Sequence, residues 1–421
     1  MTILLFGSSF NDSATMDELA HIPSGYSYVK LKDYRLNPEH PPLIKDLAGL
    51  PLLALRLNFP TNVVPWTEYI NGQWDMGRIF LYESGNDPDQ ILFWARLPVM
   101  LLALFFGWII FRYSRRLYGG KVAFLTLLFY TFSPTFIAHS RLVTTDLAAA
   151  FGFFLGIIAY ISFLENPRWT KVFWGGMALG LALLLKFSTF LLIPLFGFLL
   201  LAWVLINPFF YRQRIENFSR LLGKTIVMGL VAFLLIWPIY QLHVWNYPPE
   251  RQKADSALIL TSFNGGPDPE WTSCKPLSKR PIALRGRCLG ELTIWAADKP
   301  VLRAGAEWLL GFLMVSQRQA GGNTAFFWGE VSAAGWKHYF PTLYLFKEPL
   351  AFHLLTLIAL GWSLSQLNKQ KGQLLLRIKS WLQNNFIEFS FFSFIVVYWV
   401  ASIHSPLNIG IRHVLPTFPF L

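Results

Sequence analysis

The sequence predicts an all-α, polytopic membrane protein, and three observations carry that prediction. Hydrophobic residues make up 54% of the 421 and charged residues only 14%, with a mean hydropathy of +0.41. A soluble domain of this size needs more charge than that to cover its surface. Five stretches, Val122–Ala138, Leu147–Leu164, Phe187–Ile206, Thr225–Leu242 and Leu350–Leu367, contain no Asp, Glu, Lys or Arg. Each approaches the roughly 20 residues an α-helix needs to cross a bilayer's hydrocarbon core. Finally, Lys and Arg recur in alternate short loops, the pattern that orients spans in a membrane.

In chain order, Thr2–Phe10 reads as the outer end of a first span, too short to cross and without the basic start of a signal peptide. Further helices are predicted near Ile91–Phe111, Val172–Leu185 and Phe386–Ile403. The last residues, Val414–Leu421, stop within an apolar run, so the chain is expected to be cut at both ends relative to a complete protein. Arg112, Arg115, Arg116 and Lys121 follow the second span, and Arg168 and Lys171 the fourth. Arg212, Arg214, Arg220 and Lys224 follow the sixth, and Lys369, Lys371, Arg377 and Lys379 the eighth. These loops are read as cytoplasmic. The intervening segments then face outward in an inner, plasma-type membrane: residues 11–90, residues 139–146, a hairpin at Lys186, residues 243–348 and residues 404–413. Within one domain spanning 1–421, residues 11–90 form a first outer loop and 243–348 a large later one, too long for a connector. Pro42–Leu57, interrupted by Lys45, Asp46 and Arg56, and Val301–Val315, carrying Arg303 and Glu307, suit helices lying in the interface.

The net charge of +12 does not point to nucleic acid, because the basic residues fall in short loops and outer segments that suit anionic lipid and a phosphate-bearing substrate. Ionisable residues beside the membrane gather on the outer face. Asp17 and Glu18 are adjacent carboxylates; one of them is a candidate general base, since partial burial raises a carboxylate toward working pH. The same pair also suits a helix N-terminus, and Asp17 with His21 one turn on would make a partial metal site. Asp146 stands at the mouth of the fourth span, where an acid is either functional or an N-cap, roles that are compatible. On the same face lie Lys45, Arg96, Arg141, Lys186, Lys347, Arg412 and His413. Each alone suits a snorkelling anchor; seven together suit a phosphate. Cys274 and Cys288 share the later outer loop, where a disulfide is permitted, as are two free thiols. Asn37-Pro38-Glu39-His40-Pro41-Pro42 forms a rigid corner that would aim Lys45.

These residues resemble a known family. Asp17-Glu18-x-x-His21, Gly25-Tyr26-Ser27-Tyr28 and Asp33 to Lys45 are similar to the first outer loop of bacterial phospholipid-carrier-dependent glycosyltransferases. That group comprises the protein O-mannosyltransferase and aminoarabinose transferase types of the GT-C fold. Ala95-Arg96-Leu97-Pro98, Arg141 to Asp146, Lys186-Phe187-Ser188, Phe327-Trp328-Gly329-Glu330, Tyr339-Phe340 through Lys347-Glu348-Pro349, and Asn408 to His413 extend the likeness along nearly the whole chain. The short first span, the missing C-terminal spans and Glu348, where a small residue is expected, depart from the pattern. The resemblance implies an inverting transferase that moves a mannose-like sugar from a polyprenyl-phosphate carrier to a hydroxyl on protein, lipid or glycan at the outer face. It implies Asp17 as base with Glu18 beside it, Asp146 orienting, and Lys45, Arg141, Lys347, Arg412 and His413 holding the departing phosphate. His21, His40, Arg96 and Lys186 are further site candidates. No metal or other cofactor is implied. The other classes considered are a secondary transporter, a membrane metalloprotease and an inactive relative. A transporter would place its charges mid-helix near an inverted repeat, which the sequence lacks; a metalloprotease would need more ligands than Asp17 and His21.

Overall fold

The computed structural model describes residues 1–207, 211–260, 285–369 and 374–421. Helices account for almost all of its regular structure. The first outer loop opens with α1 (Thr2–Ser9) and α2 (Met16–Leu31), then α3 (Leu43–Gly49), α4 (Val64–Thr67) and α5 (Gln73–Arg78). The apolar bundle follows in α6 (Pro88–Tyr118), α7 (Gly120–Phe132), α8 (Pro134–Ser140), α9 (Asp146–Glu165), α10 (Trp169–Leu185), α11 (Leu192–Ile206) and α12 (Tyr211–His243). The later outer segment contains α13 (Pro249–Ile259), α14 (Arg285–Ala296) and α15 (Arg303–Gly321). Strands Ala325–Phe327 and Glu330–Ser332 then pair antiparallel. The chain closes with α16 (Tyr339–Lys347), α17 (Leu350–Lys369), α18 (Leu374–Asn384), α19 (Phe386–His404) and a 3-10 stretch, Ile411–Phe420.

Among the described residues five helices are long and apolar enough to cross a membrane, and up to seven spans result if two bent pairs each count as one. This is the architecture of an integral, multi-pass membrane protein. One predicted span is broken and another is joined to a preceding helix through a sharp bend. Val122–Ala138 divides into α7 and α8, bent by 61°, because Pro134 has no N–H to donate and drives Ser133 to extended backbone (φ −65°, ψ 121°). Leu350–Leu367 pairs with α16 across a 111° bend at Glu348 and Pro349.

The most buried span is α9, and it forms the centre of the bundle. Tyr160 stacks on Phe196 of α11 at 3.9 Å, and Phe153 packs on Phe394 and Tyr398 of α19. Small residues set the closest approaches, as expected where van der Waals packing rather than water expulsion joins helices. A Cβ on Gly176 would fall 2.6 Å from Val231 of α12, which is why α10 lies so close there.

The first outer loop is a packed unit. A Cβ on Gly25 would meet the Lys45 carbonyl, and one on Gly49 the Gly25 carbonyl, so α2 and α3 touch backbone to backbone. The predicted interfacial helix over Pro42–Leu57 is therefore shorter than expected, ending at Gly49, with Lys45 and Asp46 turned inward. The second, α15, is present and amphipathic, yet Arg303 and Glu307 face the protein rather than water. Gln252 explains this: its Nε2 donates to Glu307 Oε2 at 2.7 Å and its Oε1 accepts from Arg303 Nε at 2.8 Å. Burial pushes the Glu307 carboxyl up to about 8.

Candidate active site

The site is built where four elements meet: the start of α2, the start of α9, the break after α10 and the C-terminal 3-10 stretch. Asp17 lies in the first turn of α2, where exposed N–H groups favour an acid. Asp146 opens α9 for the same reason. Lys186 interrupts an apolar run in extended backbone (φ −160°, ψ 138°), and its Nζ donates to Asp146 Oδ1 at 2.6 Å. Arg412 closes the set. Its Nη1 donates to the Asp17 carboxylate and lies 3.8 Å from Asp146 Oδ2. One guanidinium nitrogen thus joins two carboxylates that lie far apart in sequence. The Asp17–Arg412 pair is about one-third exposed, while Asp146 is buried.

Glu18 faces elsewhere. It is the third residue of α2 and accepts from the Thr15 N–H at 2.9 Å, half of a capping box. Arg96 grips both its oxygens at 2.8 Å, and Val143 N–H reaches Oε1 at 3.1 Å. Burial alone would raise this carboxyl; the Arg96 guanidinium outweighs burial and holds it below its ordinary range. His21, one turn on from Asp17, hydrogen-bonds the Val143 carbonyl through Nδ1 at 2.8 Å. Both polar groups of the Val143 backbone are therefore tied to α2, which fixes the loop ending in Asp146 relative to Asp17.

The remaining candidates divide by position. Lys45 is fully buried behind His21 and His40. Its ammonium reaches Tyr28 Oη (3.0 Å), Asn37 O (2.8 Å), Asn37 Oδ1 (3.1 Å) and His40 O (2.8 Å). It clamps the prolyl corner rather than facing the carboxylates, and burial holds it well below its usual value. His40 packs edge-on against His21 at 5.4 Å. Burial first, then neighbouring charge, holds both imidazoles below their ordinary range. Arg141 pairs with Asp12 and the Ser8 carbonyl. His413 stacks on Phe340 at 5.1 Å, and burial lowers it to about 4. Lys347 is exposed at the end of α16, and the adjacent Glu348 is buried against Ser133 and Thr135. Cys274 and the Cys288 side chain lie outside the described residues, and the disulfide with them. Among the described residues no three His, Cys, Asp or Glu side chains are grouped to hold a metal ion.

Sequence reasoning missed Asp12, which takes Arg141, and the Asp46–His243 contact at 2.8 Å beneath Lys45. An acid inside the apolar stretch Pro42–Leu57 was the available signal for the second. It also passed over three buried polar atoms at the site that have no protein partner, His139 Nδ1, Ser140 Oγ and Thr144 Oγ1. Buried groups of this kind ordinarily find a hydrogen bond, and all three lie in the segment that leads into Asp146.

An integral membrane protein with ion-paired carboxylates at one end of its bundle is the class defined so far. Residues 89–237 match the model of one family, described as dolichyl-phosphate-mannose-protein mannosyltransferase. This match supports the GT-C glycosyltransferase type that the motifs resemble. It covers Arg96, Arg141, Asp146 and Lys186 and leaves Asp17 and Arg412 outside. No curated protein matches the chain. Among solved structures, ArnT from Cupriavidus metallidurans in the apo state is similar at 14% identity, over 100% of this chain and 74% of that one, with a TM-score of 0.39.

Proposed function

We propose that the chain is a glycosyltransferase that moves a mannose-like sugar from a polyprenyl-phosphate carrier to a hydroxyl acceptor, with inversion, on the non-cytoplasmic side of the membrane. The observation that supports this best is the single Arg412 nitrogen set against both Asp17 and Asp146. In the proposed step an Asp17 oxygen takes the proton of the acceptor hydroxyl. The acceptor oxygen bonds to the anomeric carbon as the carbon–oxygen bond to the carrier phosphate breaks, and the bonding pair leaves with the phosphate. In this step Arg412 meets that growing negative charge, which a preorganised cation in a poorly hydrated site stabilises more than water would.

Arg412 is paired with Asp17. An arriving phosphate competes for the guanidinium and frees the base as the leaving group docks. Asp146, held by Lys186, keeps its place as an acceptor for sugar or acceptor hydroxyls, and the unpaired His139, Ser140 and Thr144 atoms offer more contacts. Glu18, Arg96, His21 and Lys45 act as supports. Among the described residues Arg141, Lys347 and His413 form no ion pair with Asp17 or Asp146. A carrier anchored in the bilayer gives up much of its translational freedom before reaction.

The test is transfer of radiolabelled sugar from a polyprenyl-phosphate donor in membranes containing the protein. Transfer that disappears in Asp17→Asn and Arg412→Ala is expected. Absence of transfer from every polyprenyl-phosphate sugar tried, with the protein folded and inserted, would refute the reading.

A further inference from the structure

The bundle has a concave feature at the end remote from Asp146. It is a groove of about 820 Å³ between α6 and α10, with α9 between them, and a neighbouring recess of about 620 Å³ shares Tyr113, Arg116 and Ile158 with it. The span α9 runs for 20 residues from Asp146 to Glu165, about 30 Å of helix. The groove lies toward its Glu165 end, so it opens to the leaflet opposite the carboxylates.

Its chemistry is divided along its length. Leu155, Ile158 and Leu181 line the part toward the middle of the bundle, Trp174 follows one turn in from Lys171, and Arg116 and Lys171 stand at the mouth. Arg112 and Arg115 line the adjoining recess. Among the described residues none of these four cations forms an ion pair. Arg112 only caps the Trp108 ring at 5.8 Å. Lys224 at the same end differs, since it donates to the Pro167 carbonyl and lies over Trp169. Nearby acid is partly taken up: Glu388 accepts from Tyr118 Oη at 2.9 Å.

An apolar trough ending in unpaired cations at the bilayer surface matches one kind of molecule. From this geometry we infer that the groove is a binding site for an anionic phospholipid of the leaflet facing away from the carboxylates. Its acyl chains would lie along Leu155, Ile158 and Leu181, and its phosphate between Arg116 and Lys171. Loops rich in Lys and Arg orient membrane proteins in general, but they need no trough beside them. Here the charges and the apolar lining meet at one headgroup-sized place. Arg provides bidentate donors to phosphate oxygens and Lys a point charge.

The test uses Trp174 as reporter in vesicles of dioleoylphosphatidylcholine containing either brominated phosphatidylglycerol or brominated phosphatidylcholine. The Trp174 signal is isolated as wild type minus Trp174→Phe. Bromine on the acyl chains should quench it, and phosphatidylglycerol should do so at several-fold lower mole fraction, since each basic residue at a surface is worth about fivefold. The doubly substituted Arg116→Gln, Lys171→Gln protein should lose that preference yet still be quenched by phosphatidylcholine. Arg116→Lys with Lys171→Arg should retain it. In wild type, raising salt should weaken the preference for phosphatidylglycerol alone, a readout that does not depend on a variant folding. Equal quenching by both lipids would reduce the groove to ordinary lipid-facing surface. No quenching at all would mean that protein fills it. A preference surviving Arg116→Gln, Lys171→Gln would remove the headgroup from these cations. Each of these three results overturns the inference.

Discussion

Asp17 and Glu18 are neighbours with opposite circumstances, so neutralising each should have opposite consequences. Glu18→Gln leaves the Arg96 guanidinium 2% exposed with its countercharge gone. Breaking a buried pair by removing one partner costs about 3–5 kcal/mol. Carbonyls of Asp12 and Ser13 at 3.0 Å remain to Arg96, so the lower end, about 3 kcal/mol, is expected. Asp17→Asn breaks a pair that is about one-third exposed on both sides, which costs at most about 1 kcal/mol. Activity should rank the other way. Loss of a general base lowers turnover by roughly 10²–10⁴-fold, whereas Glu18→Gln should retain most turnover per folded molecule. The assay pairs a denaturant titration followed by tryptophan fluorescence with sugar transfer normalised to the folded fraction. A Glu18→Gln protein as stable as wild type and inactive, beside an active Asp17→Asn, would reverse the two assignments and with them the proposed mechanism.

Three further outcomes are expected. Arg412→Ala should weaken binding of a polyprenyl-phosphate donor more than Asp17→Asn does, because a phosphate contact is present in both ground and transition states; unchanged donor affinity would place the phosphate elsewhere. Glu307, raised to about 8 from an ordinary 4.5, stays protonated in the fold while the unfolded chain ionises, so stability is lost as pH rises from about 4.5 to 8. Glu307→Gln lacks this loss and should exceed wild type by about 3 kcal/mol at pH 7 and by little near pH 4.5, in denaturant titrations at the two values; a gap independent of pH would contradict the buried carboxyl. With Cys274 and Cys288 replaced, a cysteine at exposed Asn62 should react with an impermeant thiol reagent added outside and one at exposed Gln213 should not; reaction at Gln213 would invert the orientation.

The apolar runs were legible in the sequence because crossing a bilayer is a local requirement: each span must satisfy its own backbone within a set length. The clustering of acids and bases at one end was legible too, since alternating loops fix which residues share a face. Pro134 announced the break between α7 and α8, although the charge-free run around it read as continuous. What only the tertiary structure decided is direction. Successive residues on a helix point about 100° apart, so Asp17 and Glu18 had to face different partners, and the rotation of α2 settles which meets Arg412 and which meets Arg96. Lys45 and Arg303 likewise read as outer-face cations in one dimension and turn inward in three, because acceptors distant in sequence satisfy them there. The Asp17–Arg412 contact joins residues 395 positions apart. No local pattern encodes such a pair; it exists only because α2, α9 and the C-terminal stretch pack at the same end of the bundle.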